Sequence, residues 1–176
     1  MNVAIKHAPK TPSADKNPEK NHVQVIARAA SIKGDHLVFI DQVIGSQRLR
    51  TVSAVGESFP LYCTANGKAY LAELDDEAVE ALIGKNYKTR TPNTLTKLPQ
   101  LLDEIREIRR NGFAVDHEEH TLGICAAGVA MRDMLGNFVA ISVPVPAQRF
   151  QQERAQICER LLATKRVLQN HVTTAN

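Results

Sequence analysis

The segment Asp116-His117-Glu118-Glu119-His120 gathers two imidazoles and three carboxylates, and Cys125 follows shortly after. Zinc takes nitrogen and sulfur ligands, so His117, His120 and Cys125 could hold a metal. Alternatively, a base beside the thiol could make Cys125 a nucleophile. Against both stand the missing second cysteine pair and the missing H-E-x-x-H helix. Cys125 also lies between Ile124 and Ala126, in a strand-like run where cysteine packs as a small hydrophobe. Strand alternation through residues 113–118 would separate the two imidazoles as well. A zinc- or cysteine-dependent enzyme using these three residues is therefore kept only as the alternative. Glu118 and Glu119 could do acid-base work, but in a turn such a pair is usually solvated.

A different chemistry follows from what surrounds the cluster. An apolar run from Leu122 to Gly128 comes next, and the chain turns back through Gly136-Asn137 into Ala140-Ile141-Ser142. This predicts a half-buried hairpin with a polar mouth. Pockets for small polar molecules have that make-up, with apolar walls and a few placed polar groups. Thr64-Ala65-Asn66-Gly67-Lys68 is a second candidate. Backbone N–H groups at a helix start attract anions, and small residues would admit a ligand to the backbone. A tightly packed helix start would need the same small residues. Arg48 and Arg50 share a strand face and could clamp a carboxylate, or lie solvated.

The elements that must position these residues are readable from period and punctuation. Residues 23–32 are ambiguous between a helix start and an edge strand. Lys33-Gly34-Asp35 is a turn. Leu37–Ile40 predicts a strand, with 49–55 as its hairpin partner and Gly45-Ser46 as the loop. A helix is expected from Thr64, its N-cap, to Leu74, and Asp75 or Asp76 caps a short second helix ended by Gly84. Leu95, Leu98, Leu101, Leu102, Ile105 and Ile108 follow the helical period until Asn111-Gly112 stops it. Strands are expected at 113–116, 123–132 and 138–145, with Pro144 and Pro146 ending the last. A closing helix covers 148–170, with Phe150, Ile157, Leu161 and Leu168 in one stripe. Strands and helices segregate, which predicts an α+β domain with helices on an antiparallel sheet.

The chain's 176 residues suffice for one domain with a real core. A net charge of +3 and the absence of tryptophan do not support a nucleic-acid surface. Three cysteines, widely spaced and odd in number, argue against a disulfide framework and for a cytoplasmic setting. No apolar stretch reaches membrane-spanning length, and residues 1–22, rich in proline and lysine, read as a disordered arm.

Several stretches, in order, resemble the effector-binding domain of the IclR family of bacterial transcription regulators. They are Gly34–Asp41, Gly56–Ala72, Thr89–Thr94, Asp116–Cys125, Ala140-Ile-Ser142 and Pro146-x-x-Arg149. The resemblance implies a GAF-like antiparallel sheet with helices packed on it. It also implies a homo-oligomer, dimer or tetramer, that binds a small organic or aromatic acid and regulates transcription without catalysis, metal or cofactor. Matched residue by residue, the family's pocket positions fall on Phe59, Ala65, Asn66, Asp116, Ile124, Ala126 and Ser142. Asn66 stands where the family commonly has an apolar residue, and Pro144 where a second hydroxyl can occur. Residues 23–33 resemble the opening of the family's DNA-binding domain and then pass directly into the effector domain. The reading is of 1–22 as arm, 23–33 as a remnant of that domain, 34–170 as effector-binding domain and 171–176 as tail. The helix-turn-helix that would contact operator DNA is expected to be missing.

Overall fold

Strands and helices form where the hydrophobic periods place them. The computed structural model describes residues 27–43, 56–85 and 87–174. Their order is β1 (Ala27–Lys33), β2 (His36–Val43), β3 (Ser58–Pro60), α1 (Ala65–Leu71), α2 (Asp76–Ile83), α3 (Leu98–Asn111), β4 (Ala114–His117), β5 (Ile124–Arg132), β6 (Phe138–Pro146) and α4 (Ala147–Thr174). The described strands make one antiparallel sheet in the order β3-β2-β1-β6-β5-β4. The expected α+β architecture is thus the one that forms.

Alternation along each strand divides the side chains between two faces. Cys125, Ala127, Val129, Met131, Val143 and Val145 turn to one face and pack with Phe150, Ile157 and Leu161 of α4. On the other face Ala114, Ala130 and Ala140 lie under Ala69 of α1 and Ile108 of α3. Towards β3 that face continues as Leu37, Phe39 and Phe59, packed with Leu101 and Ile105. Each such fully buried Leu or Ile contributes about 1.5–3 kcal/mol of transfer free energy.

Caps explain the helix boundaries. The Thr64 hydroxyl accepts from Gly67 N at 3.2 Å, and the Asp75 carboxylate accepts from Ala78 N at 2.7 Å. Because Asp75 must be extended to cap α2, α1 ends at Leu71, before the expected Leu74. The third helix begins at Leu98 rather than Leu95, since Pro99 is tolerated only in a first turn. Gly112 ends it in the left-handed region at φ 81°, donating to Ile108 O.

Several expectations change. Residues 27–33 neither lie at the edge nor hang loose. They form β1, an interior strand paired with β2 on one side and β6 on the other. The sheet therefore includes residues 27–33. Pro144 lies inside β6, opposite Ala126, where β6 has no β1 partner to need its missing N–H. Residues 171–174 continue α4 rather than forming a tail. Leu168 is 41% exposed, because α4 has left the sheet by that point and every residue from 166 to 171 is exposed. The expected arm 1–22, residues 23–26, the 45–46 loop, the 49–55 strand, Arg48 and Arg50 lie outside the described residues.

Candidate functional site

Register brings the expected polar residues to one face. Asp116 pairs with Ala126 and Ala126 with Pro144, while Gly128 pairs with Ala114 and Ser142. Asp116, Ile124, Ala126 and Ser142 therefore share the face covered by α1. Helix α1 sits hard against that face. A Cβ at Gly128 would come within 3.0 Å of the Ala65 carbonyl carbon, and one at Gly67 within 2.3 Å of Leu61 O. The small residues of Thr64–Lys68 are thus used for close packing of backbone on backbone. Ala65 lies over the Ala114–Gly128–Ser142 row, next to the Asp116–Ala126–Pro144 row. Phe59 joins the group through its ring contact with His120, 5.0 Å between centroids.

Asn66 follows Ala65 and is only 2% exposed, yet neither Oδ1 nor Nδ2 has a hydrogen-bond partner. A buried amide left unpaired costs about 1–3 kcal/mol. Asp116 and Ser142 are buried on the same face. Of the seven expected pocket residues, six are buried and Ile124 is partly so.

The electrostatics of this face centre on a residue that sequence alone does not single out. Lys68 is fully buried, and its ammonium donates to both Glu119 and Glu104. Burial opposes its charge, but the two carboxylates more than offset that and raise its pKa. Glu119, expected to be solvated, is instead 3% exposed. Its pKa is pushed up by burial and pulled back by Lys68. Asp116 accepts from Glu119 N at 2.7 Å. Its carboxyl is pushed up to about 7 by burial, then by the neighbouring Glu119 charge. Burial, then the Arg90 charge, lowers His120 to about 4 and so keeps it neutral.

The loop carrying these groups is clamped from outside. Thr94 donates to Glu119 O at 2.7 Å, Thr91 to Glu118 O at 2.7 Å, and Asn93 to His117 O at 3.1 Å. Glu118, at φ 58°, accepts from Gly123 N at 2.6 Å and closes the loop. The Thr89–Thr94 stretch is therefore the clasp on residues 117–119.

The metal and nucleophile constellation is taken apart by strand alternation. His117 pairs with Cys125 and meets Phe150 on the α4 face, 5.8 Å between ring centroids, whereas His120 meets Phe59 on the other face. Burial, then the charges of Glu118 and Asp116, raises the Cys125 thiol above its ordinary value. Among the described residues no set of three His, Cys, Asp or Glu side chains is placed to hold a metal ion. A separate cavity of about 200 Å³ opens at the far end of α1, between Ala72, Ile108 and Ala130. Its rim groups are already paired, Lys165 with Glu73 and Arg109 with Ala72 O and Leu74 O.

Residues 21–170 match the family model described as the bacterial transcriptional regulator IclR C-terminal domain. The chain is 50% identical over 132 residues to the HTH-type transcriptional regulator Rv1719 of Mycobacterium tuberculosis, covering 75% of this chain and 51% of that protein. It spans about half the length of the curated relatives it matches. Thermotoga maritima IclR superposes with a TM-score of 0.73 and 32% identity, covering 81% of this chain and 58% of that one. The inducer-binding domain of a double mutant of PobR from Acinetobacter, solved with 3-hydroxybenzoic acid, shares the fold with a TM-score of 0.74 at 23% identity, covering 83% of this chain and 88% of that one. Among the described residues no helix is long and apolar enough to cross a membrane.

Proposed function

Because the chain belongs to the IclR family of bacterial transcriptional regulators, we propose that its α1-covered sheet face is an effector site for a small organic or aromatic acid. The observation that carries this reading is the Asn66 side chain of α1, nearly fully buried with both amide atoms unpartnered, while Asp116 and Ser142 are buried on the sheet face that α1 covers. A ligand carbonyl or carboxyl oxygen would accept from Asn66 Nδ2, Ser142 would hydrogen-bond the same ligand, and Asp116 would take its protonated or hydroxyl group. Phe59 and Ile124 would supply apolar walls, with the small side chains of Ala65 and Ala126 between them.

Binding at this face regulates transcription through a homo-oligomer in the cytoplasm, and does so without catalysis. Operator DNA is gripped by a helix-turn-helix domain, which the described residues do not include. Titration of small organic and aromatic acids by thermal shift tests the proposal, since a ligand stabilises the fold through its affinity for the native state. The 3-hydroxybenzoic acid bound by the PobR domain belongs in that panel. An unmoved melting temperature across the panel, or shifts unaltered by Asn66→Leu, would refute it.

A further inference from the structure

Charge on the α1-covered face is already unbalanced before any ligand arrives. Lys68 is the one buried cation among the described residues, and Glu119 and Glu104 both claim it. Asp116 adds a third carboxylate, tied to the same loop through Glu119 N. Around Asp116, strands β5 and β6 offer Ile124, Ala126 and Ser142, none of them charged. The stretch before α1 offers Cys63, whose thiol burial and then the Asp116 charge push up to about 12. The 117–123 loop offers Glu119 and a neutral His120. Helix α1 offers Lys68, already committed, and α3 offers Glu104. Arg90 is exposed, and its charge acts on Cys63 and His120.

An acid entering as its anion would place a carboxylate against this acidic set, where Lys68, the one buried cation among the described residues, is already held by two carboxylates. Two carboxylates in contact do not both stay ionised. The unpartnered Asn66 supplies a donor to one ligand oxygen and leaves the other oxygen for a shared proton.

Resting on the site assigned above, we propose that a carboxylic acid binds here together with one proton drawn from solvent, held between the ligand carboxyl and Asp116. No covalent bond to the ligand forms or breaks; where Asp116 starts ionised, one O–H bond is made and the charge at the site is unchanged by binding. Burial and the neighbouring Glu119 charge push the Asp116 carboxyl up to about 7, so it is the group that takes up the proton at least cost.

Calorimetry of the full chain with benzoate, benzamide, lactate and lactamide, in buffers of different ionisation enthalpy at pH 7, 8 and 9, tests this. Each acid that binds is expected to take up about half a proton at pH 7 and about one at pH 8, and to weaken about tenfold from pH 8 to 9. The matching amide is expected to take up none and to bind with flat affinity. Asp116→Asn is expected to abolish uptake and the pH slope; if that variant does not fold, the buffer series on the natural chain decides alone. An acid that binds with no proton uptake and unchanged affinity at pH 8 and 9 overturns this inference and leaves the effector site standing. Absence of binding by all four probes overturns the site and this inference with it.

Discussion

Replacing Lys68 with methionine removes the cation that pairs with Glu119 while keeping the apolar stem. Glu119 is 3% exposed and cannot recover hydration, so its charge would be stranded. Breaking one side of a buried ion pair costs about 3–5 kcal/mol. For a chain of this size each kcal/mol moves the melting temperature by about 2–4 °C, so Lys68→Met should melt roughly 6–20 °C lower. The sign of the pH dependence is also determined. Without Lys68 the folded-state pKa of Glu119 rises further above its unfolded value. The penalty is therefore absent below the unfolded pKa and grows as pH rises through the folded one. Urea denaturation at pH 5 and pH 8, followed by circular dichroism, should show the variant closer to the natural chain at the lower pH. The double variant with Glu119→Gln should recover part of the loss at pH 8. A loss under about 1 kcal/mol, or one that is the same at both pH values, would refute the reasoning, because it would mean that Glu119 is not left charged and buried.

Four further outcomes are expected. Asp116→Asn should stabilise the ligand-free chain above pH 7 by up to roughly 4 kcal/mol, since the folded carboxyl titrates about 3 units above its unfolded value. The gain should vanish near pH 3, where Asp116 is neutral in the folded state and largely so in the unfolded one, as denaturation across pH will show. Gly67→Ala should cost about 1–3 kcal/mol or more in the same assay, because its Cβ would land on the Leu61 backbone. Thr94→Val removes the hydroxyl that accepts from Arg90 N and Thr91 N and donates to Glu119 O. It should cost about 1–3 kcal/mol and speed hydrogen exchange at Gly123 N. Cys63, Cys125 and Cys158 should resist iodoacetamide at pH 8 until the chain is unfolded, as intact mass would show; rapid native labelling of Cys125 would revive a reactive-thiol role.

Much of this fold is legible because it repeats. Leu98, Leu101, Leu102, Ile105 and Ile108 mark α3 by period alone, and Gly112 marks its end. The helix start at Thr64 and the stop at Gly84 are local signals of the same kind. What period cannot show is pairing across the chain. Ala27–Lys33 carries neither a clean alternation nor a helical stripe, and only its partners in β2 and β6 make it an interior strand. Lysine and glutamate are seldom buried, so Glu119 reads as solvated and nothing singles out Lys68 until the fold brings them together. Asp116, Ala126 and Ser142 fall on one face by parity once the strands are paired. The unpartnered state of Asn66 has no counterpart in sequence.

Interior placement of β1 has a mechanical consequence. Arg28 stands in register with Ser142 of the candidate site. Any pull or twist applied to the chain upstream of Ala27 is delivered into the middle of the sheet rather than to a rim that could fray. Conversely, a displacement of β6 at Ser142 reaches the segment leading into β1 across a single row of hydrogen bonds. Load entering at the centre of a sheet must strain both neighbouring ladders at once, which makes β1 a stiff handle on the site.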